Sequence, residues 1–448
     1  MVVAVTRFDW RALENDLADA LVRAVSALVA DRHDERFYAA ALWLLYRETD
    51  GPIRLPMLAV NTEQALGRLP ADERDDLRWS PADWEYDDVD WLSGDVARRW
   101  EHDLAAHARR GTVAQWDATF DRFVTALVTV CRRARRGLGG LPVVVLDAEL
   151  HATVVPRILT KAETRRMFPE LDEQTRARSE LAALPPDRQA AHLVGLLGTF
   201  DGPIGSEDAE TALRDLGPAA VPALLPRLTV DGEGWQAAKI LADIGLADDT
   251  VVQALAAALH RTNGADRSWV ASALSRLGRL DIVLAAPGPP GDVATAVTAP
   301  YRSFRDHASA PRPLDYAPLE RAIEDRPDLL AMLESELSPG TPMCQIGAAE
   351  VDEALRGTGS PHPLVRRHAV TVLGERRLGA AAGRRVLPVL ARRAADDPDP
   401  VVRRLSVLGL RWWGRQGQAY LDVGRTACGD PDGSVRVAAQ GWLDEAGG

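Results

Sequence analysis

The sequence predicts an α+β N-terminal domain followed by an all-α solenoid, a chain that is mainly α overall. Three observations lead there. Runs with strand character are confined to the first 170 residues. Apolar stripes at helical spacing fill the remainder. The C-terminal part repeats itself at intervals near those of helix-pair arrays. At 448 residues the chain also exceeds what one compact core organises, so more than one domain is expected. The expected division is 1–170 for the first domain and 171–448 for the array, with an irregular insertion at about 281–359.

Each element of the first domain has a local reason. Asp9 precedes Leu13, Leu17, Leu21, Ala24 and Leu28, one apolar stripe on a capped helix. "FYAAALWLLY" (37–46) is apolar at both alternating sets, as a buried central strand is. "IRLPML" (53–58) reads as an edge strand because of Pro56. "NTEQALGRL" reads as a short helix capped by Asn61 or Thr62. Thr112 and Gln115 form a capping-box signature ahead of Trp116, Phe120, Phe123, Leu127 and Val130. The cluster "CRRARRGLGG" ends that helix, with arginines suited to its last turn and Gly137 as terminator. "PVVVLD" (142–147) and "HATVVPRIL" (151–159) read as two further strands.

Between these elements lies "RWSPADWEYDDVDW" (78–91), where Trp79, Trp84 and Trp91 stand among Asp83, Glu85, Asp87, Asp88 and Asp90. Pro81 and the density of acids favour a turn-rich connection. Its rings are expected to pack as a lid while its acids face water, with a partner-binding surface as the alternative. Neither histidine nor cysteine joins the acids at metal-ligand spacing.

"FDWRALENDLADAL", "FYAAAL", "NTEQAL", "RWSPADWEY" and "FDRFVTALVTVCRRARRGL" together resemble an uncharacterised bacterial N-terminal domain family. The resemblance covers most of residues 8–138 and implies a domain boundary rather than an activity.

The array declares itself in "PLVRRHAVTVLG" (363–374), "PVVRRLSVLGLR" (400–411) and "GSVRVAAQGWLD" (433–444). Val365, Val402 and Val435 align, as do Arg366, Arg403 and Arg436, and Leu373, Leu410 and Leu443. His362, Asp399 and Asp432 occupy the capping position, and Pro363 and Pro400 the first helical one. Upstream, Leu213, Leu241 and Leu274 align, each set closing on Gly217, Gly245 or Gly278. "VPALLPRL", "VVQALAAALHR" and "RRVLPVLARRAA" supply the intervening helices, and the chain is expected to close on one helix of a final unit that acts as a cap. The D-P-x-x-x-V-R-x-x-A pattern with its following leucine resembles HEAT repeats over roughly 185–280 and 360–446. The resemblance implies stacked helix pairs and a structural role for Arg366, Arg403 and Arg436, which would tie neighbouring repeats together.

Within the insertion, "PYRSFRDHASAPRPLDYAPLERAI" (300–323) gathers Tyr301, Arg302, Arg305, Asp306, His307, Arg312, Asp315 and Tyr316 among prolines. Long loops in arrays carry binding functions, and Arg and Tyr anchor interfaces. These eight residues, with Trp79, Trp84 and Trp91, are the candidate partner contacts.

Charge and motifs narrow the function. The net charge of −12 is uneven: −5 over 1–170, −12 over 171–359 and +5 over 360–448. An acidic chain argues against a general nucleic-acid partner and for another protein, a basic one in particular. Lys161 and Lys239 are the only lysines, so the arginine excess reflects a GC-rich bacterial genome more than a phosphate-binding role. Cys131, Cys344 and Cys428 are far apart and fit a reduced, cytoplasmic setting. No apolar run approaches a membrane span, and the N-terminus has no leader pattern. Phosphate-loop, dinucleotide, nucleophile-elbow and zincin motifs are absent, as is the His-Glu pair that marks the di-iron hydroxylases among HEAT-repeat proteins. A Cys–His or Ser–His pair assembled across the fold stays open. The reading is a non-catalytic protein-binding scaffold or regulatory protein without catalytic residues, cofactor or metal, an immunity-type protein covering a toxin or effector being one version. The alternative is a nucleic-acid binder or base-repair enzyme using the Arg-rich C-terminal repeats.

Overall fold

The structure, a computed structural model, describes residues 8–47, 52–108, 113–147, 150–200 and 202–447. The chain forms two compact units, Met1–Thr175 and Arg176–Gly448.

In the first unit three strands form one sheet in the order β2-β1-β3, where β1 is Phe37–Trp43, β2 is Met57–Thr62 and β3 is Val143–Leu146. β1 runs antiparallel to β2 and parallel to β3. Its central residues Ala39–Leu42 are buried, as the two-sided apolar run predicts. The helix Trp10–Asp31 starts where Asp9 accepts a hydrogen bond from the Ala12 N–H at 3.0 Å, and it buries Leu13, Leu17, Leu21 and Val25. It packs against the helix Val113–Gly137, which buries Phe123, Leu127 and Val130. Thr112, the expected capping residue, lies outside the described residues.

Two expectations about this unit are corrected. Residues 151–159 are not a strand: His151–Ile158 is a helix that buries Val154, Val155 and Ile158 on one side. Valines mimic a strand here, but positions i, i+1 and i+4 fit a single helical face. The second strand begins at Met57, immediately after Pro56, while Ile53 makes only an isolated bridge to Arg47; proline, having no N–H, sits ahead of the ladder rather than in it. Gly137 is the last residue of its helix, as expected. It allows close approach, since a Cβ there would lie 3.0 Å from a Val22 methyl carbon, and the turn follows at Leu138–Leu141.

The tryptophan stretch closes one side of this core. A short 3-10 turn, Pro81–Asp83, lies within it, and Val60 pairs with Tyr86 in an isolated bridge. Trp84 is buried and its indole N–H donates to the Arg78 carbonyl at 3.2 Å. Trp79 and Trp91 are half-buried against the same core, while Asp83, Glu85, Asp87, Asp88 and Asp90 are exposed.

The second unit is a succession of helices. Ser206–Leu216, Gly234–Ile244, Gly264–Arg276 and Pro290–Thr298 pack each on the next, and Pro363–Leu373, Pro400–Trp412 and Gly433–Gly447 do likewise. The stacking enters the region expected to be irregular, because Leu330–Glu336 packs on Pro290–Thr298. Each helix alone leaves one apolar face open, and its neighbours supply the cover.

The aligned arginines act between units of the array. Arg366 donates from Nε and Nη2 to the two carboxylate oxygens of Asp397 at 3.0 and 3.1 Å, and from Nη1 to the carbonyls of Ser360 and Pro361. Arg403 repeats the arrangement on Asp430 at 2.8 and 2.9 Å, with Nη1 on the carbonyls of Asp397 and Pro398. Arg436 keeps the carbonyl half, on Asp430 and Pro431. A planar fork therefore joins one helix start to the following one. Asp399 caps its helix on the Val401 N–H, whereas His362 occupies its capping position without a side-chain bond.

Candidate functional site

The 300–316 segment holds two buried tyrosines in a sequence otherwise typical of a solvated loop. Tyr301 and Tyr316 stack with ring centres 5.7 Å apart and planes at 8°, and His368, from the helix Pro363–Leu373, stands edge-on to both at 5.5 Å. Gly357 makes the room, since a Cβ there would lie 2.4 Å from the Tyr316 ring.

The hydrogen bonds fix the chemistry of this cluster. A carbonyl can only accept, so His368 Nε2 carries the hydrogen and donates to the Tyr301 carbonyl at 2.9 Å. Nδ1 then accepts from the Tyr316 hydroxyl at 2.7 Å. The Tyr301 hydroxyl donates to the Asp315 carbonyl at 2.7 Å, and the Cys344 N–H donates back to the Tyr301 carbonyl at 3.0 Å. Cys344 Sγ lies 3.8 Å from His368 Nε2. That pair has the composition of a nucleophilic dyad but not its electronics. The nitrogen nearest the thiol is a donor, with no lone pair to take a proton. Burial pushes the thiol up to about 12 and pulls the imidazole down to about 4. Cys344 and His368 are a packing pair.

Arg305 is the second buried anchor. Its guanidinium donates to the carbonyls of Arg312 and Gln345 and pairs with Glu350. The same carboxylate accepts from the N–H groups of Leu314 at 2.7 Å and Gly347 at 2.9 Å. Glu350 thus gathers three separate stretches of chain.

Of the candidate contacts, Tyr301, Tyr316 and Arg305 are buried in the second unit and Trp84 in the first, so these four offer no surface to a partner. Asp306, His307, Arg312 and Asp315 are exposed, and Arg302, Trp79 and Trp91 are half-buried. His307 Nδ1 stands 3.0 Å from a guanidinium nitrogen of Arg214, and Asp306 accepts from the Gln345 N–H. Arg302 pairs with Glu336 and lies over the Phe304 ring at 5.6 Å.

Phe304 leads to residues that motif reading missed. Trp235, Trp269 and Phe304 form a row of half-exposed rings, 6.0 Å from the first centre to the second and 4.9 Å from the second to the third. The signal was available: Trp235 and Trp269 sit beside the starts of two aligned segments, 236–245 and 269–278.

The aligned glycines carry a second meaning. Gly245 and Gly278 end their helices with φ of 75° and 82°, and the 308–313 stretch lies across both ends. A Cβ at Gly278 would lie 2.5 Å from Arg312 Cζ, and the Ala310 carbonyl is 3.6 Å from where a Gly245 Cβ would stand. The Ser309 N–H donates to the Asp243 carbonyl at 2.8 Å beside them.

Comparison with known proteins finds a different family model in each unit. Residues 343–411 match the family described as HEAT repeats, and residues 17–137 match a domain of unknown function, DUF4303. A search of curated proteins returned no match. A solved structure of human deoxyhypusine hydroxylase in complex with glycerol is 20% identical, covering 59% of this chain and 98% of that one, with a TM-score of 0.23. At that score the likeness carries no argument about this chain. Among the described residues no group of three or more His, Cys, Asp or Glu is placed to hold a metal ion, and no helix is long and apolar enough to cross a membrane.

Proposed function

We propose that this chain is a non-catalytic scaffold or regulatory protein that binds a basic protein partner on the face bearing Trp235, Trp269, Phe304 and Arg302. The row of three half-exposed rings beside an arginine carries the reading. Tryptophan and arginine are the residue types on which interface energy concentrates. The row lies within residues 171–359, whose net charge of −12 favours a basic partner and speeds its encounter. Asp306, His307, Arg312 and Asp315 are exposed on the segment that carries Phe304. Trp79 and Trp91 are the corresponding candidates in the first unit. An immunity-type protein that covers a toxin or effector is the finer version, and it requires the captured protein to be basic and to lose its toxicity when covered.

The C-terminal arginines weigh against nucleic acid. Arg366, Arg367, Arg385, Arg393, Arg403, Arg411 and Arg425 each pair with a carboxylate of the chain itself. A guanidinium held by a carboxylate has little charge left for a phosphate backbone.

The test is retention of a stoichiometric partner from cell extract by the full chain and by a Trp235→Ala, Trp269→Ala variant of unchanged circular dichroism. The wild-type chain should retain a basic protein, released by salt, and the variant should lose it, as truncating each hot-spot ring costs roughly 2 kcal/mol or more. Equal retention by both chains, or none by either, overturns the proposal.

A further inference from the structure

The 300–316 segment is fixed at its ends and lightly held in its middle. Tyr301 stacks on Tyr316, and Arg305 and the Leu314 N–H both bind Glu350. Between these anchors Pro311 and Pro313 have no N–H to give. Beneath the middle is a cavity of about 400 Å³, bounded by Ala242, Gly278 and Val297 of the array and by Ala308, Pro311 and Pro313 of the segment. Close packing therefore does little to seat residues 306–313.

Among the described residues, two polar contacts join that stretch to the helices underneath. The Ser309 N–H donates to the Asp243 carbonyl at 2.8 Å, and His307 Nδ1 stands 3.0 Å from Arg214 Nη1. The second contact fixes the state of the imidazole. A guanidinium can only donate, so Nδ1 accepts and the ring hydrogen is on Nε2. An imidazolium has no lone pair on Nδ1 and carries the same charge as Arg214. Contact and protonation exclude each other at that nitrogen.

The surrounding charges do not reverse this. Arg214, from the helix Ser206–Leu216, and Arg276, from the helix Gly264–Arg276, both pair with Asp243 of the helix Gly234–Ile244, at 3.5 and 2.6 Å. A charged His307 would bring a third cation to one carboxylate. On the segment itself Asp306 accepts from the Gln345 N–H at 2.9 and 3.0 Å, Arg305 is paired with Glu350, and Arg312 adds a further positive charge beside Gly278.

We propose that His307 is a pH-sensitive latch: neutral, it seats residues 306–313 on the array, and protonated, it lets them lift and opens the cavity beneath. Seating weakens as pH falls, because the lifted segment binds a proton that the seated one excludes. Asp243 couples the two fastenings, since its carbonyl receives Ser309 and its carboxylate holds Arg214. The Ser309 N–H therefore reports on the latch. The latch does not depend on any partner at the aromatic row, so either proposal can fail without the other.

Hydrogen exchange of the full chain, resolved to the Ser309 N–H and corrected for the intrinsic rate at each pH, tests it at about pH 7.5 and about pH 5.5. In the wild-type chain Ser309 protection should fall by about threefold or more at the lower pH, roughly the weight of one hydrogen bond. The amides of the helix Gly264–Arg276 should keep theirs. His307→Gln can accept from Arg214 at either pH and should stay protected at both. His307→Lys, cationic at both, should be loose at both. His307 is exposed, so both variants should fold. Equal Ser309 protection at the two pH values in the wild-type chain overturns the proposal. So does a fall shared by the helix Gly264–Arg276, an equal fall in His307→Gln, or full protection of His307→Lys at the higher pH.

Discussion

The C-terminal repeats and the 300–316 segment hold themselves together in opposite ways. In the repeats one motif recurs: Arg366 on Asp397 and Arg403 on Asp430 make the same bidentate bond at nearly the same separation along the chain. In the segment nothing recurs. Tyr316 to His368, His368 to Tyr301, Arg305 to Glu350 and Ser309 to Asp243 are each made once, between stretches far apart in sequence. A repeat is stabilised by a rule and an insertion by individual fits. Damage to the first should resemble removal of a shared part, and damage to the second should depend on one atom at a time.

The largest effect should come from Asp397→Ala. It removes the acceptor of Arg366, with side-chain exposures of 8% and 0% for the pair, and also that of Arg393 and the Asp399 N–H. An uncompensated buried guanidinium costs about 3–5 kcal/mol, read as a lower urea midpoint. A shift below about 1 kcal/mol would mean that neighbouring repeats hold without the fork.

Next comes pH, through His368. Burial holds its folded value near 4, below the ordinary 6.5. Between these values the unfolded chain binds a proton that the folded chain does not, so stability falls as pH drops from 6.5 towards 4 and levels off below. The loss is on the order of 3 kcal/mol, and His368→Asn should flatten that part of the profile. An identical slope in the variant would assign the acid sensitivity to other groups.

Tyr316→Phe is smaller. It takes the hydroxyl donor from His368 Nδ1 and leaves a buried acceptor unmet, costing about 1–2 kcal/mol by denaturant midpoint. No loss would show that a water replaces the hydroxyl. Arg411→Ala should do least. Its pair with Glu445 is 33% and 57% exposed, so the cost is about 0–1 kcal/mol and shrinks with added salt. An effect as large as that of Asp397→Ala would erase the distinction between fork and surface pair.

The same contrast explains what could be read in advance. Repeated parts leave periodic traces, so Val365, Val402, Arg366 and Arg403 and the helices they start were legible. β1 was legible because both of its faces are apolar. The helix His151–Ile158 was misread because Val154 and Val155 have the local preferences of a strand, and packing decides against them. The segment's composition placed it correctly as unusual but not its inward members. Prolines and charges suggested a solvated connector, and the burial of Tyr301, Tyr316 and Arg305 depends on Gly357, His368 and Glu350, which lie outside the segment. The meaning of Gly278 was hidden for the same reason, since Arg312 reaches it from 34 residues further along the chain.

Distance along the chain also sets an order of events. The fork from Arg366 to Asp397 closes across 31 residues, whereas the bond from His368 to Tyr301 closes across 67. Longer closures cost more chain entropy, so when the whole chain refolds at once the second closure is the costlier one. During synthesis the tyrosines cannot dock until residue 368 has left the ribosome, so a protease acting on the growing polypeptide meets this segment undocked, and one added to the finished protein meets it seated.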